Sequence, residues 1–388
     1  MKKKFINLFI MLIPIKKYRK KARFYLMKFT FSMFSEFKTF NNHDIKNKTV
    51  LIFEPNNSHA EVIIGYIKYL IDLGFNVDIL TTKENANSNF LYSFQDNKNI
   101  NLFIANETLY AKYFKSQKIK NYDFIWFSSV KYYANYIKKN NIIDYIGFMP
   151  QGKNKTLFTI HDTFDFDEKT LNSLLKSNQI ISLANFTKGV MINPHYFCKY
   201  PILAKNNITT FITIGAITSQ RRNYQMLFDA IKKLVLNDYK FKIIIISRSE
   251  ATNIPKDTTK HIEFKYNLDF PDMYKEIIKS DFFLPLLDPE NIKHDRYITT
   301  GATGSTQLIY GFSKPCLIHK KFASHYMLDE KNSINYDNDF YASMIKAIDM
   351  DQNSYKELQE NISKTAHNIQ KSSIKNLKKI LNMQKDIN

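Results

Sequence analysis

Short continuous apolar runs alternate along the chain with longer segments in which apolar residues recur at helical spacing. The first such pair is TVLIFEP at 49–55 and EVIIGYIKYLIDLG at 61–74. Continuous apolar runs are typical of strands buried in parallel sheets, and the helical spacing indicates amphipathic helices. Further runs of the first kind are NVDILT, NINLFIA, DFIWFSS, YIGFMPQ and TLFTIHD. The alternation predicts an α/β domain with a parallel sheet.

A second series of the same kind begins near Thr209, with predicted strands TTFITIGAI, FKIIIIS, HIEFKYN, DFFLPLL, PCLIHK and SINY. We therefore predict two Rossmann-like domains, an N-terminal one at 48–200 and a C-terminal one at 208–350. The bridge INPHYFCKYPILAKNN (192–207) lacks periodicity and contains two prolines, so we interpret it as the linker. Residues 351–388 are predicted to form a polar helical tail. Ligands of such sheets bind at the carboxyl ends of the strands, which predicts a site in a cleft between the domains.

The N-terminal segment at 1–34 has a different composition. Residues 1–29 carry ten Lys and Arg and no acid, in a chain whose net charge is +20. The apolar run FINLFIMLIPI is shorter than the roughly 20 residues that span a bilayer, and six cations follow it closely. We expect this basic amphipathic segment to lie on an anionic membrane surface. A cleaved signal, a spanning segment and a plain docked helix remain as alternatives.

Charge, cysteine content and missing motifs argue against several other classes of protein. Beyond the N-terminal segment the lysines are scattered among Asn, Asp and Glu, and no nucleic-acid-binding motif occurs, so we expect no nucleic-acid partner. Cys198 and Cys316 have neither metal-ligand spacing nor the pattern of a disulfide framework, which fits a reducing cytoplasm. Walker, H-E-x-x-H and G-x-S-x-G motifs do not occur.

Two strand-to-helix turns of the second series carry groups that bind anions. Arg221 and Arg222 follow a strand that ends in Gly215, and paired guanidinium groups there suit phosphate oxygens. The alternative is a solvated pair, which the positive end of the following helix disfavours. The second turn, TTGATGSTQ at 299–307, opens a short helix. Its candidate diphosphate-binding residues are Gly301, Gly304, Ser305 and Thr306. Simple capping is the alternative, although capping needs only one hydroxyl.

These segments resemble the nucleotide-binding domain of GT-B glycosyltransferases, in particular the large retaining family that includes glycogen synthase. The resemblance covers about 209–320 and rests on the turn at 211–231, on MYKEIIKSDFFLPLLDPE and on TTGATGSTQLIYGFSKPCLI. It implies a GT-B fold, a nucleotide-diphosphate sugar as donor, no cofactor and no bound metal. Where the family has a Glu that holds the donor's ribose, this chain has Gln307. A second family Glu has no secure match, and the candidates are Asp288, Glu290 and Asp295.

The N-terminal series places polar groups at two strand ends. His59 and Glu61 lie after the first strand, and His161 follows a later one in TLFTIHD, which resembles the t-i-H-D segment of retaining GT-B enzymes. We predict His59, Glu61 and His161 as catalytic residues, with a structural role for each histidine as the alternative. An Asp-x-Asp pair at Asp165 and Asp167 has the spacing of metal-dependent sugar transferases, and a metal site at this pair is the alternative to a metal-independent enzyme.

Together these features predict an enzyme that transfers a sugar to a lipid-linked or oligosaccharide acceptor in bacterial surface-polysaccharide assembly, such as lipooligosaccharide or capsule. It would lie in the cytoplasm, at the inner face of the cell membrane. The alternatives are a GT-B-fold sugar-nucleotide epimerase and a non-catalytic nucleotide- or glycan-binding protein.

Overall fold

The computed structural model describes residues 36–104, 113–114, 116–129, 155–163, 179–217, 221–248 and 254–382, together with Glu168, Leu171, Asn172 and Leu175. The basic segment at 1–34, the predicted strand YIGFMPQ and the pair Asp165 and Asp167 lie outside these residues.

The described part of the N-terminal domain is built on a parallel sheet with strand order β3-β2-β1-β4-β5-β6-β7. The strands are β1 (Thr49–Glu54), β2 (Asn76–Thr81), β3 (Ile100–Ile104), β4 (Phe124–Phe127), β5 (Lys155–Ile160), β6 (Ile180–Ser182) and β7 (Val190–Met191). The helices α1 (Ala60–Asp72) and α2 (Lys83–Asn87) follow β1 and β2. Val50 and Ile52 of β1 pack into one apolar cluster, and Leu51 and Phe53 pack into another. Because successive side chains of a strand point to opposite faces, a strand covered on both faces is apolar throughout.

The C-terminal domain repeats this plan. Strands β8 (Thr209–Ile214), β9 (Phe241–Ser247), β10 (Ile262–Tyr266) and β11 (Phe282–Phe283) form a parallel sheet in the order β10-β9-β8-β11. A bridge between Phe283 and Cys316 extends it to the parallel pair β12 (Leu317–His319) and β13 (Ile334–Tyr336). Numbered within the domain, the order is 3-2-1-4-5-6, which is the strand order of Rossmann folds.

Helices surround this second sheet and continue beyond it. They are α3 (Tyr224–Leu236), α4 (Phe270–Lys279), α5 (Arg296–Thr299), α6 (Gly304–Gly311), α7 (Lys320–Ala323), α8 (Phe340–Asp349) and α9 (Gln352–Ile380). Short 3-10 helices occur at Tyr92–Phe94, Gln117–Asn121, Lys256–His261, Ile292–His294 and Ser324–Tyr326.

Helix α9 connects the two domains. Near its start, the Tyr355 hydroxyl donates to the Asp281 carbonyl of the C-terminal domain at 3.0 Å. Near its end, Asn376 donates to the Met191 carbonyl of β7 at 2.9 Å, and Ser373 accepts from the Asn193 amide at 3.0 Å. Its buried residues include Ile362, which is fully buried. The predicted polar tail is therefore a packed helix that spans both domains.

Candidate active site

The N-terminal side of the site lies where β1, β4 and β5 end. These strands are neighbours in the sheet, and the strand order reverses direction between β1 and β4. In open α/β sheets, ligands bind outside the carboxyl ends of the strands at such a reversal. Glu54 is the last residue of β1, Ser128 follows β4, and His161 follows β5. The topology itself thus brings these three residues to one edge.

The two histidines predicted from the sequence lie against each other at this edge. The ring centroids of His59 and His161 are 4.2 Å apart, with the planes tilted by 42°. His59 Nδ1 lies 3.6 Å from a carboxylate oxygen of Glu61, so the pair attracts when the imidazole is protonated. His161 Nε2 lies 3.0 Å from the Ser128 carbonyl oxygen. A carbonyl only accepts, so this nitrogen carries a hydrogen.

A buried carboxyl, Glu54, lies beneath the histidines. Its side chain is fully buried, with one oxygen accepting the Asn56 amide at 2.8 Å and the other accepting the Ser128 hydroxyl at 2.8 Å. Burial raises the pKa of Glu54 to about 7, against the opposing pull of the His59 charge and of these hydrogen bonds. A carboxyl, two imidazoles and a second carboxylate therefore form one acid–base cluster.

The predicted arginine pair lies on the C-terminal side, and its two members differ. The Arg222 guanidinium donates to the main-chain carbonyls of Pro285, at 2.7 Å, and Ile214. Gly215, whose φ is +142°, makes this possible, because a Cβ there would lie 2.6 Å from Arg222 Nε. Arg222 thus joins the ends of β8 and β11. Arg221 is exposed, and it donates to the Tyr297 hydroxyl at 3.4 Å.

The turn TTGATGSTQ forms the N-terminus of α6. The Thr303 side chain caps the helix by accepting the Ser305 amide, and the Thr306 hydroxyl donates to the Thr303 carbonyl at 2.9 Å. Capping leaves two buried side chains unused: the Ser305 hydroxyl and both polar atoms of Gln307 have no hydrogen-bond partner in the part of the chain that the structure describes. A Cβ placed on Gly304 would meet nothing within 4 Å. The helix therefore begins at a glycine that borders open space, and three buried polar atoms of its first turn lack partners in the described residues.

The other glycine of this turn contacts the N-terminal domain. A Cβ on Gly301 would lie 3.0 Å from Asp162 Cγ and from the His161 carbonyl oxygen. Gly301 and Asp162 also form an antiparallel bridge, and the Thr163 amide donates to the Thr300 carbonyl at 2.8 Å. The buried Asp162 carboxylate forms an ion pair with Arg296. The two sides of the cleft therefore touch at this point.

Asp288 and Asp295, two of the acids considered for the second family position, have side-chain partners nearby. Asp288 accepts from Asn223, the residue that caps α3, at 2.8 Å, and Asp295 forms an ion pair with Lys321 at 2.8 Å. The third candidate, Glu290, donates its main-chain amide to the Asp288 carboxylate. Within the described ranges, no group of three or more His, Cys, Asp or Glu residues is arranged to hold a metal ion.

Sequence reasoning missed Glu54 and the ion pair between Asp162 and Arg296. Glu54 had a visible signal, since a carboxylate at the end of an otherwise apolar strand lies where ligands bind. The pairing of Asp162 with Arg296 had none, because the two residues are 134 positions apart in the chain.

No protein-family model matches the chain, and no curated protein sequence matches it. Solved structures are similar in fold. An alpha-glucosyltransferase in complex with UDP aligns with a TM-score of 0.55 at 14% identity, over 86% of this chain and 99% of that one. A mutant of S. aureus TarM in complex with Fondaparinux, alpha-GlcNAc-glycerol and UDP also aligns with a TM-score of 0.55. The sequence identity is 10%, and the alignment covers 86% of this chain and 100% of that one. The chain thus has the GT-B fold, two Rossmann-like domains facing across a cleft, as the sequence predicts.

Proposed function

We propose that the protein is a glycosyltransferase that takes its sugar from a nucleotide-diphosphate donor. The observation that carries this proposal is the N-terminus of α6, where Ser305 and Gln307 are buried without partners among the described residues, beside the open space at Gly304. Leaving such groups unsatisfied costs about 1–3 kcal/mol each, a cost that a ligand rich in hydroxyls and phosphate oxygens removes. The similar structures with bound UDP support this class of ligand.

On the donor side, the proposal assigns the diphosphate to the amides of α6, Ser305, Thr306 and the exposed Arg221. Negative charge grows on the leaving diphosphate as the sugar–oxygen bond breaks. The positive helix end and a guanidinium group stabilise that charge. Gln307 binds the ribose hydroxyls through its amide, in place of the Glu that the resemblance implies. Arg222 supports the site by holding the ends of β8 and β11 together.

On the acceptor side, the proposal uses the cluster of His59, Glu61 and His161. The acceptor hydroxyl loses a proton as the new glycosidic bond forms, and an imidazole group accepts protons near neutral pH. The Glu61 carboxylate, 3.6 Å from His59 Nδ1, stabilises the imidazolium that results. Glu54 orients the cluster through Ser128. The Ser128 hydroxyl donates to the Glu54 carboxyl, and the Ser128 carbonyl accepts from His161 Nε2. Retention of the sugar's anomeric configuration and independence from metal come from the resemblance.

The cellular role belongs to the same proposal. The basic segment at 1–34 holds the enzyme on the inner face of a bacterial membrane, where it glycosylates a lipid-linked or oligosaccharide acceptor for a surface polysaccharide such as lipooligosaccharide or capsule. Among the residues that the structure describes, none lies in a helix long and apolar enough to span a bilayer.

The test is turnover of nucleotide sugars by the purified full chain. UDP-glucose, UDP-galactose, UDP-N-acetylglucosamine and GDP-mannose are supplied in turn, with and without lipid extract, and released nucleoside diphosphate is measured. We expect release with one donor, and a large loss in Gln307→Ala at equal folded protein. Inversion at the sugar's C2 carbon, detected by NMR, would instead identify an epimerase. Binding without turnover would identify a non-catalytic protein.

A further inference from the structure

The turn predicted to hold the donor's diphosphate already contacts an anion from within the chain. The Asp162 carboxylate is 2% exposed and lies against Gly301, so that a Cβ on that glycine would stand 3.0 Å from its Cγ and Oδ2. Asp162 belongs to the N-terminal domain, and the turn belongs to the C-terminal domain. A carboxylate and a phosphate present similar oxygens to cations and to amides, which makes Asp162 an internal counterpart of the ligand.

The cation that holds Asp162 lies beside the other predicted phosphate-binding groups. Arg296 forms the ion pair with Asp162, and its Nε is buried with no partner in the described ranges. Its guanidinium carbon lies 5.7 Å from the centroid of the Tyr297 ring, and the hydroxyl of the same tyrosine accepts from Arg221. Arg296 and Arg221 thus both lie near the side chain of Tyr297. Arg296 also precedes the first residue of α6 by eight positions in the sequence.

We propose that Arg296 is a further diphosphate-binding residue and that Asp162 occupies its guanidinium until the donor displaces it. The inference rests on the proposed function. Donor binding exchanges one anion for another at Arg296 and removes the ion pair from the contact between the two sides of the cleft, which the main-chain bonds at Gly301 and Thr300 then hold alone. Because the bound state competes with an internal pair, the apparent affinity for nucleotide is lower than the intrinsic affinity of the open site.

The experiment is calorimetric titration of the full-length protein with UDP, and then with GDP and CDP. Asp162→Asn keeps the size of the side chain but removes its charge, and we expect about tenfold tighter binding of the preferred nucleotide. Arg296→Gln should weaken binding at least about tenfold. Asp337→Asn is the control for loss of charge: it removes one carboxylate from an exposed pair with Lys320 within the C-terminal domain, and affinity should not change.

Unchanged or weaker nucleotide binding by Asp162→Asn overturns the proposal, because that result is expected if Asp162 only holds Arg296 and the turn in position. Thermal melting of each variant establishes that it is folded, and Asp162→Ser replaces the asparagine variant if that one does not fold. If neither the wild type nor Asp162→Asn binds any of the three nucleotides, the proposed function itself is contradicted, since removing the competing anion should have exposed the site.

Discussion

Replacing Glu54 by Gln should change how the stability of the N-terminal domain depends on pH. The carboxyl is fully buried, and burial raises its pKa from 4.5 to about 7. The unfolded chain therefore releases this proton near pH 4.5, whereas the folded protein keeps it until about pH 7. A raised folded-state pKa contributes stability that is fully present below pH 4.5 and is lost as the pH rises through 7.

The size of the effect follows from the shift. Each pKa unit corresponds to about 1.4 kcal/mol, so Glu54 costs the wild type about 3 kcal/mol between pH 4.5 and pH 8. Glutamine has no proton to release, and its amide fits the same contacts: its oxygen accepts the Asn56 amide, and its nitrogen donates to the Ser128 hydroxyl. Relative to wild type, Glu54→Gln should therefore gain about 3 kcal/mol of unfolding free energy on going from pH 4.5 to pH 8.

The assay uses urea unfolding followed by fluorescence. Trp126 is the only tryptophan in the chain; it lies fully buried in β4, next to the strand that Glu54 ends. Comparison with wild type at each pH removes the opposite contribution of His195, whose pKa burial lowers to about 4. Glu61→Gln, which removes the partly exposed carboxylate beside His59, controls for the loss of charge. Parallel stability–pH curves for wild type and Glu54→Gln would refute the reasoning.

Three further experiments test the proposed site and the N-terminal segment. Deleting residues 1–29 should release the protein from anionic liposomes at unchanged UDP affinity, since each cation near such a surface contributes about 1 kcal/mol; equal liposome binding would rule out the anchor. Arg221→Ala should weaken UDP binding at least about tenfold without a lower melting temperature, whereas Arg222→Ala should lower the melting temperature; the reverse result would exchange their roles. Gly304→Val should abolish UDP binding, and Gln307→Glu should preserve or improve it; calorimetry beside thermal melting tells a lost ligand contact from a lost fold.

Strands with strong local patterns could be predicted closely from the sequence. The predicted NVDILT and FKIIIIS coincide with β2 and β9, because continuous β-branched and apolar residues bounded by polar ones leave little choice of position. Strands β6 and β7 have three and two residues, which is too few for a pattern to predict them. The run DFFLPLL predicts a full strand, but β11 contains only Phe282–Phe283. Pro285 has no main-chain amide to continue the ladder, and Leu286 after it adopts a φ of 54°.

The site was less accessible to prediction, because its contacts join distant segments. Position after a strand was enough to propose His59 and His161, and the structure places their rings in contact. Position was not enough to predict that Arg222 is held by main-chain carbonyls while Arg221 is exposed. That difference depends on the carbonyls at the ends of β8 and β11, which are distant in the sequence. The apolar residues of α9 recur at helical spacing, which is the pattern of a helix packed on one face. Because that face is narrow and the rest of the helix is rich in lysine and asparagine, the composition alone suggests a polar tail.

The path of α9 has a consequence for motion. The chain passes between the domains once through residues 192–208 and again through α9, where Tyr355 is attached on one side and Asn376 on the other. Two separate connections restrict the relative motion of the domains. They permit rotation about the line that joins them, and they resist translation and rotation about other axes. Opening of the cleft should therefore follow a single rotation. A substitution that bends or stiffens α9 between these attachments would alter the rate of that rotation while leaving the groups around the ligand in place.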